Sequence, residues 1–211
     1  MKMEIVQIYL TQMANFCYLV GDKATRKCAV IDPAFEPGKI LKAASEKGLT
    51  ITHVINTHGH FDHTSANAAI LEATGACLCI HEADAHAVSG IFQRVVSRFA
   101  GGKVSPPPDR KLKDNENIRV GKIGLSVIHT PGHTPGSICI YTPGHVFTGD
   151  TLFVGSIGRT DLPGGSHKAM LKSIRERLYT LPGNTIVWPG HDYGPSPSST
   201  IRHERETNPF T

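Results

Sequence analysis

The chain has 211 residues, 39% of them hydrophobic and 19% charged, which supplies enough apolar side chain for a buried core and excludes a disordered polyelectrolyte. Its formal charge of +4, without any run of lysine and arginine, excludes the basic stripe that a nucleic-acid partner requires, while small anionic substrates remain compatible. Nowhere do enough apolar residues follow one another to span a membrane as a helix.

In chain order, residues 4–11 (EIVQIYLT), 15–22 (NFCYLVGD) and 27–33 (KCAVIDP) predict three successive strands, with a turn signal at GDK, so a meander opens the fold. Helical spacing closed by a glycine predicts a helix over 38–48. A strand over 51–58, a second glycine-terminated helix over 65–75 and a buried strand over 76–81 follow. Residues 89–109 mix apolar, basic, glycine and proline positions without periodicity, and are read as a long excursion over a site. Beyond it, strands are predicted over 123–130, 137–144 and 145–153. The longest amphipathic helix is expected over 166–183, then a strand over 185–191 and a short final helix over 199–210. The plainest architecture for this order is two sheets in a sandwich with helices outside, in one domain over 1–211. The five cysteines (Cys17, Cys28, Cys77, Cys79 and Cys139) are odd in number and sit inside apolar stretches, as reduced buried thiols do. Because the opening residues alternate apolar and polar positions instead of forming the apolar core of a signal peptide, a soluble cytoplasmic protein is expected.

The segment VINTHGHFDHT, Val54 to Thr64, crowds three histidines and an aspartate into the six positions after an apolar run. On extended backbone alternate side chains point the same way, so His58 and His60 can bring two imidazoles to one point, with Gly59 letting the chain bend between them. If the chain then turns into a helix near Thr64, Asp62 and His63 aim elsewhere and suit a second metal beside the first. Further candidates stand at the ends of apolar runs: His133 in HTPGHTPGS, Asp150 in FTGDTLF and His191 in VWPGHDYG. His53, His81, His86, His129, His145, His167 and His203 lack such a setting and keep ordinary structural roles, His129 by hydrogen bonding within the neighbouring turn.

In this order the motif H-x-H-x-D-H, a histidine in HTPGHT, an aspartate in GDTLF and a histidine in PGH resemble the ligand series of the metallo-β-lactamase fold superfamily. The likeness runs along nearly the whole chain. Within that superfamily the sequence is most similar to the glyoxalase II group, the hydroxyacylglutathione hydrolases. The resemblance implies an α+β fold, an αββα sandwich of two mixed β-sheets with helices on the outer faces. It implies one metal held by His58, His60 and His133, a second by Asp62, His63 and His191, and Asp150 bridging both. Asp62 thereby joins the catalytic centre as well as the ligand set.

Two divalent ions about 4 Å apart can hold a water whose pKa falls toward neutrality, which supplies a hydroxide nucleophile and polarises a carbonyl. Zinc suits the mixed imidazole and carboxylate donors, and iron or manganese also fit. The expected substrate is a small thioester derived from glutathione, such as S-lactoylglutathione, cleaved to a hydroxy acid and a free thiol. Longer members of the group carry an additional helical region after the last histidine, whereas twenty residues follow His191 here, so the chain resembles a short single-domain subgroup. Recognition of the glutathione carboxylates then falls to Arg159 in GSIGRTDLPGGS, with Lys168 nearby and Arg94 and Arg98 in the 89–109 segment as alternatives. A salt bridge between Arg159 and Asp161 is the competing role. The GRTDL stretch also resembles persulfide dioxygenases of the superfamily, which implies the alternative of a single iron on His58, His133 and Asp150. A lactonase or an RNase Z-like nuclease fits less well.

Overall fold

The computed structural model describes residues 3–88, 90 and 103–211. Strands β1 (Met3–Leu10), β2 (Asn15–Asp22) and β3 (Lys27–Ile31) pair antiparallel, Ile5 opposite Val20 and Tyr18 opposite Ile31, as the short connections between them require. The chain then crosses through α1 (Pro37–Glu46), which starts on a proline pre-set to helical φ, and returns as β4 (Thr50–Ile55) parallel to β3. Two short helices, α2 (Phe61–Thr64) and α3 (Asn67–Thr74), lead into β5 (Cys77–His81), and β6 (Arg110–Leu112) completes a mixed sheet in the order β1-β2-β3-β4-β5-β6. Gly75, at φ 64°, ends α3 by donating its N–H to the Leu71 carbonyl at 2.8 Å.

The second sheet is built from β7 (Asn117–Val120), β8 (Ile123–His129), β9 (Ile138–Thr142) and β10 (His145–Gly149), all antiparallel, then β13 (Ile186–Pro189) parallel to β10 and β14 (Ser199–Thr200) on its edge. A two-stranded ribbon, β11 (Leu152–Phe153) and β12 (Ser156–Ile157), projects after β10. Helices α4 (His167–Ser173) and α5 (Ile201–Thr207) cover the outer face of this sheet.

Strand alternation explains the layers. Tyr18 and Val20 of β2 point into a core shared by the two sheets with Ile31, Ile55, Leu125, Ile140 and Phe147. Cys17 and Leu19 point the other way, beneath Ile40 of α1 and Ile70 of α3. On the far side Met170 and Ile174 cover Val146 and Val187. The fold is thus the expected αββα sandwich of two mixed sheets, and a strand such as β2 is buried on both faces.

Several boundaries differ from the sequence reading. The helix predicted over 166–183 is α-helical only to Ser173 and continues as a π-helical turn over Ile174–Leu178. At the junction the Ser173 hydroxyl donates to the Pro131 carbonyl at 2.8 Å. The strand predicted over 145–153 breaks at Gly149, whose φ of 48° turns the chain out of the sheet before Asp150. The predicted helix over 65–75 is α3, over Asn67–Thr74, and the separate short helix α2 precedes it over Phe61–Thr64, inside the histidine motif. The 51–58 strand stops at Ile55, and the predicted 199–210 helix opens with two strand residues. Strands β6 and β7, three and four residues long, went unpredicted because so short a run carries no readable period. Of the 89–109 segment, residues 89 and 91–102, with Arg94 and Arg98, lie outside the described residues. Among the described residues no helix is long and apolar enough to cross a membrane.

Candidate metal centre

All seven predicted polar residues converge at one end of the sandwich. His58 follows β4, and His60, Asp62 and His63 sit at the start of α2. His133 occupies the β8–β9 loop. Asp150 and His191 follow β10 and β13, whose parallel pairing, Gly149 opposite Pro189, delivers both residues to the same edge. Three groups of donor atoms lie mutually within 4.8 Å: His58, His60 and His133; His58, His63 and Asp150; and Asp62, His63 and His191. His60 Nδ1 stands 2.8 Å from His133 Nε2, and His63 Nε2 stands 3.2 Å from His191 Nε2. The Asp150 carboxylate faces both ends of the cluster. Its Oδ2 is 3.5 Å from His133 Nε2 and 3.4 Å from His191 Nε2, while Oδ1 is 3.2 Å from His63 Nε2.

The outer hydrogen bonds fix which ring nitrogens face inward. His133 Nδ1 donates to the Arg159 carbonyl at 2.7 Å, His191 Nδ1 to the Met13 carbonyl at 2.9 Å and His63 Nδ1 to Asp32 Oδ2 at 3.0 Å. The Thr57 hydroxyl gives its proton to Asp32 Oδ2 at 2.6 Å, so it accepts from His58 Nδ1 at 3.1 Å. With Nδ1 protonated in each neutral ring, four Nε2 lone pairs point at one another and at Asp150. Such an arrangement is repulsive unless a proton or a metal cation lies among them.

The electrostatics say the same. Burial and the neighbouring imidazoles push His58 and His60 below the ordinary histidine range. Burial also opposes protonation of His63 and His191, but the carboxylates, Asp150 foremost, overcome it; His63 is held well above its ordinary value and His191 is raised to about 9. Desolvation works to raise Asp150 and Asp62 in turn, and His63 and His191 pull both below the usual carboxylate range. Within the cluster His58 Nε2 and Asp150 Oδ1 are buried without a geometrically sound hydrogen bond, Oδ1 meeting only the ion-pair contact to His63 Nε2. Orphaned imidazole and carboxylate donors aimed at a common point fit a divalent transition metal.

Glycines keep the cluster tight. A Cβ on Gly190 would stand 2.6 Å from Asp150 Oδ1 and 2.9 Å from His63 Cε1, which explains why PGH carries glycine before the histidine. Beside the cluster opens a cleft of about 490 Å³, walled by Met13, Phe61, Phe153, Ile157 and Tyr193, with Arg159 on its rim. Tyr193 lies flat on His191, ring centroids 4.5 Å apart. The Arg159 guanidinium makes two 2.8 Å bonds to Asp161, both side chains being mostly exposed, so the ion pair weighed against substrate contact is present. Lys168 is not among the residues lining the cleft.

The residues that hold the donors were not anticipated. Asp32, 2% exposed, is strained at φ 50° while it accepts from the Thr57 amide, the Thr57 hydroxyl and His63. An acid closing an apolar strand before proline, VIDP, was the available signal. The Arg159 carbonyl had none, since a main-chain acceptor leaves no mark on residue type. Of the remaining histidines, His81 and His129 stack at 4.1 Å away from the cluster, and His129 Nε2 donates to the Pro135 carbonyl at 2.9 Å, a bond within its own turn.

Residues 10–191 match the family model of the Metallo-beta-lactamase superfamily. The mitochondrial persulfide dioxygenase ETHE1 of Homo sapiens is 32% identical over 206 residues, 96% of this chain and 74% of the relative. A hydroxyacylglutathione hydrolase of Rhodospirillum rubrum is 40% identical over 182 residues, 85% of this chain but 62% of that protein. Among solved structures, ETHE1 from Myxococcus xanthus superposes with a TM-score of 0.84 at 33% identity, covering 98% of this chain and 84% of the other. TTHA1623 in a di-iron-bound form gives 0.85 at 36% identity over 98% of this chain and all of the other (100%). One of these relatives is named a persulfide dioxygenase and another a hydroxyacylglutathione hydrolase, so membership in the glyoxalase II group does not follow from them, whereas the shared core of the fold does. The chain belongs to the Metallo-beta-lactamase superfamily, a family of metal-dependent enzymes.

Proposed function

We propose that the protein oxidises the persulfide of a small thiol of the glutathione type at a single iron held by His58, His133 and Asp150. The observation that carries this reading is the likeness of nearly the whole chain, in sequence and in fold, to persulfide dioxygenases. Two imidazoles and one carboxylate are also the donor set of iron centres that use dioxygen. Bound iron would supply one-electron redox chemistry and open positions for small ligands. The overall change balances as persulfide, dioxygen and water giving thiol, sulfite and two protons, the sulfane sulfur losing the four electrons that dioxygen gains.

The chain's own groups have distinct tasks in this reading. The Thr57 hydroxyl and the Arg159 carbonyl hold His58 and His133 in the ring state that leaves Nε2 free. Phe153, Ile157 and Tyr193 give the cleft an apolar wall that excludes water from a reactive sulfur. Arg159, at the rim, can exchange Asp161 for a substrate carboxylate while keeping a bidentate geometry. Binding a carboxylate far from the sulfur orients the substrate.

A second reading, hydrolysis of a glutathione thioester at two metal ions with Asp62 in the centre, is favoured by one observation. Asp62, His63 and His191 form a second donor group, with His191 Nε2 3.4 Å and His63 Nε2 3.5 Å from Asp62 Oδ2. One experiment separates the two. The protein, loaded with iron or with zinc and its metal content measured, is given glutathione persulfide in an oxygen electrode and S-lactoylglutathione without oxygen. Oxygen uptake by the iron form with one ion per chain supports oxidation. Anaerobic thioester cleavage with two ions and no oxygen uptake overturns it in favour of hydrolysis.

A further inference from the structure

We propose that Asp84 is a positioning residue for one half of the metal cluster, the His58, His60 and His133 group, and not for the other. The inference rests on the reading that His58 and His133, which the proposed iron site also uses, hold a metal. Asp84 lies in the short turn of 3-10 helix that follows β5 and is 3% exposed. Its carboxylate touches none of the seven converging side chains. Instead it gathers the main chain around them: Oδ2 accepts from the Gly59 amide at 2.8 Å and from the Thr134 hydroxyl at 2.7 Å, and Oδ1 accepts from the Gly136 amide at 2.8 Å.

The placement of those donors is what makes the residue selective. Gly59 separates His58 from His60, and Thr134 and Gly136 follow His133. One carboxylate therefore ties the loop after β4, from the first sheet, to the β8–β9 loop of the second, and every loop it ties carries a member of the same group. Among the described residues the Asp84 carboxylate bonds to the Gly59, Thr134 and Gly136 segments and to none of those carrying His191 or α2.

Packing fixes the clamp in place. A Cβ on Gly136 would stand 2.5 Å from Asp84 Oδ1 and 2.6 Å from its Cγ, and a Cβ on Gly59 would stand 2.6 Å from the Ala87 Cβ. Only glycine lets both loops close on the carboxylate. The chemistry is equally specific, since two amide donors need two acceptor oxygens. An asparagine here has the same shape, yet whichever way its amide turns, its NH₂ faces the N–H of Gly59 or of Gly136.

The test uses cobalt(II), whose visible absorption reports ligand geometry without reference to catalysis. Two backgrounds isolate the half-sites: Asp62→Ala retains the first group, and His58→Ala, which removes a donor common to both readings of that group, retains Asp62, His63 and His191. In the Asp62→Ala background, Asp84→Asn should weaken cobalt binding roughly 10–100-fold and alter the absorption band, as loss of an outer support does. In the His58→Ala background, cobalt affinity should be unchanged by Asp84→Asn. If Asp84→Asn fails to fold, Thr134→Val, which removes one of the three bonds, should show the same one-sided effect at smaller size. An equal loss in both backgrounds, or no loss in the first, overturns the proposal. A parent protein that takes up no cobalt overturns the metal reading itself, a result distinct from intact binding that ignores Asp84.

Discussion

Replacing Asp32 by asparagine should uncouple folding from metal binding in a calculable way. Asparagine tolerates the φ of 50° at this position, so backbone strain is held constant. Three bonds to the carboxylate lose their charge assistance or must reverse: those from the Thr57 amide at 2.7 Å, the Thr57 hydroxyl at 2.6 Å and His63 Nδ1 at 3.0 Å. At about 1 kcal/mol lost for each, the metal-free protein should be destabilised by roughly 3 kcal/mol, read as a lower urea midpoint with an unchanged slope. The metal effect is separate. With the asparagine oxygen kept on the Thr57 amide, its NH₂ faces both the Thr57 hydroxyl and His63 Nδ1, which must then accept. The ring proton moves to Nε2, the atom 3.2 Å from His191 Nε2 and from Asp150 Oδ1. A nitrogen that carries a proton cannot ligate, so affinity at the two groups containing His63 should fall about 10–100-fold, equivalent to roughly 1.4–2.8 kcal/mol. Competition against a chromogenic chelator measures this directly. Wild-type affinity in a variant that has lost the expected stability would refute the ring-state argument, and wild-type stability would refute the hydrogen-bond accounting.

Further outcomes follow from the same geometry. His191 of the metal-free protein, raised to about 9 from an ordinary 6.5, carries a proton at pH 7 that metal uptake must displace, whereas the depressed His58 and His60 release none. Proton release in weak buffer should accompany binding, affinity should climb between pH 6.5 and about 9, and a flat profile there would contradict the assignment. Because its folded-state value is raised, His191 also stabilises the metal-free fold fully below pH 6.5 and loses that contribution as pH rises through about 9. Gly190→Ala should abolish binding by the Asp150 and His63 end while leaving secondary structure intact by circular dichroism; metal content at the wild-type level would show that the modest shifts needed are available. Arg159→Lys should raise KM several-fold for a glutathione-derived substrate with kcat and metal content nearly unchanged, since His133 is held by the main-chain carbonyl of that residue and not by its guanidinium.

How much of this could be read in advance depended on where the chemistry is written. His58, His60, Asp62 and His63 were legible because four donors in six positions have no use in a plain strand-to-helix turn. His133, Asp150 and His191 were legible as polar residues closing apolar runs, and their order carried the superfamily resemblance. The layers followed from alternation and from glycine-terminated helical spacing. The supports were hidden for a physical reason. Asp32, Asp84 and the Arg159 carbonyl act on segments 25 to 52 positions away in sequence, which no local pattern encodes. Helix α4 was overestimated because its apolar spacing continues past Ser173, although the main chain changes to a wider turn there.

The donors also come from opposite halves of the sandwich: residues 58–63 from the first sheet, and His133, Asp150 and His191 from the second. Facing pairs are 73 and 128 positions apart along the chain. An ion that binds only when both sets meet has no affinity for any partly opened form in which the sheets have separated. Metal occupancy should therefore slow hydrogen exchange at amides whose exposure needs that separation, such as those of Ile118, Leu125 and Ile140 in the shared core, while local fraying at the short edge strand β14 proceeds at its own rate. In a cell this converts metal supply into resistance to proteolysis, so the abundance of the protein would track the availability of its ion as closely as its activity does.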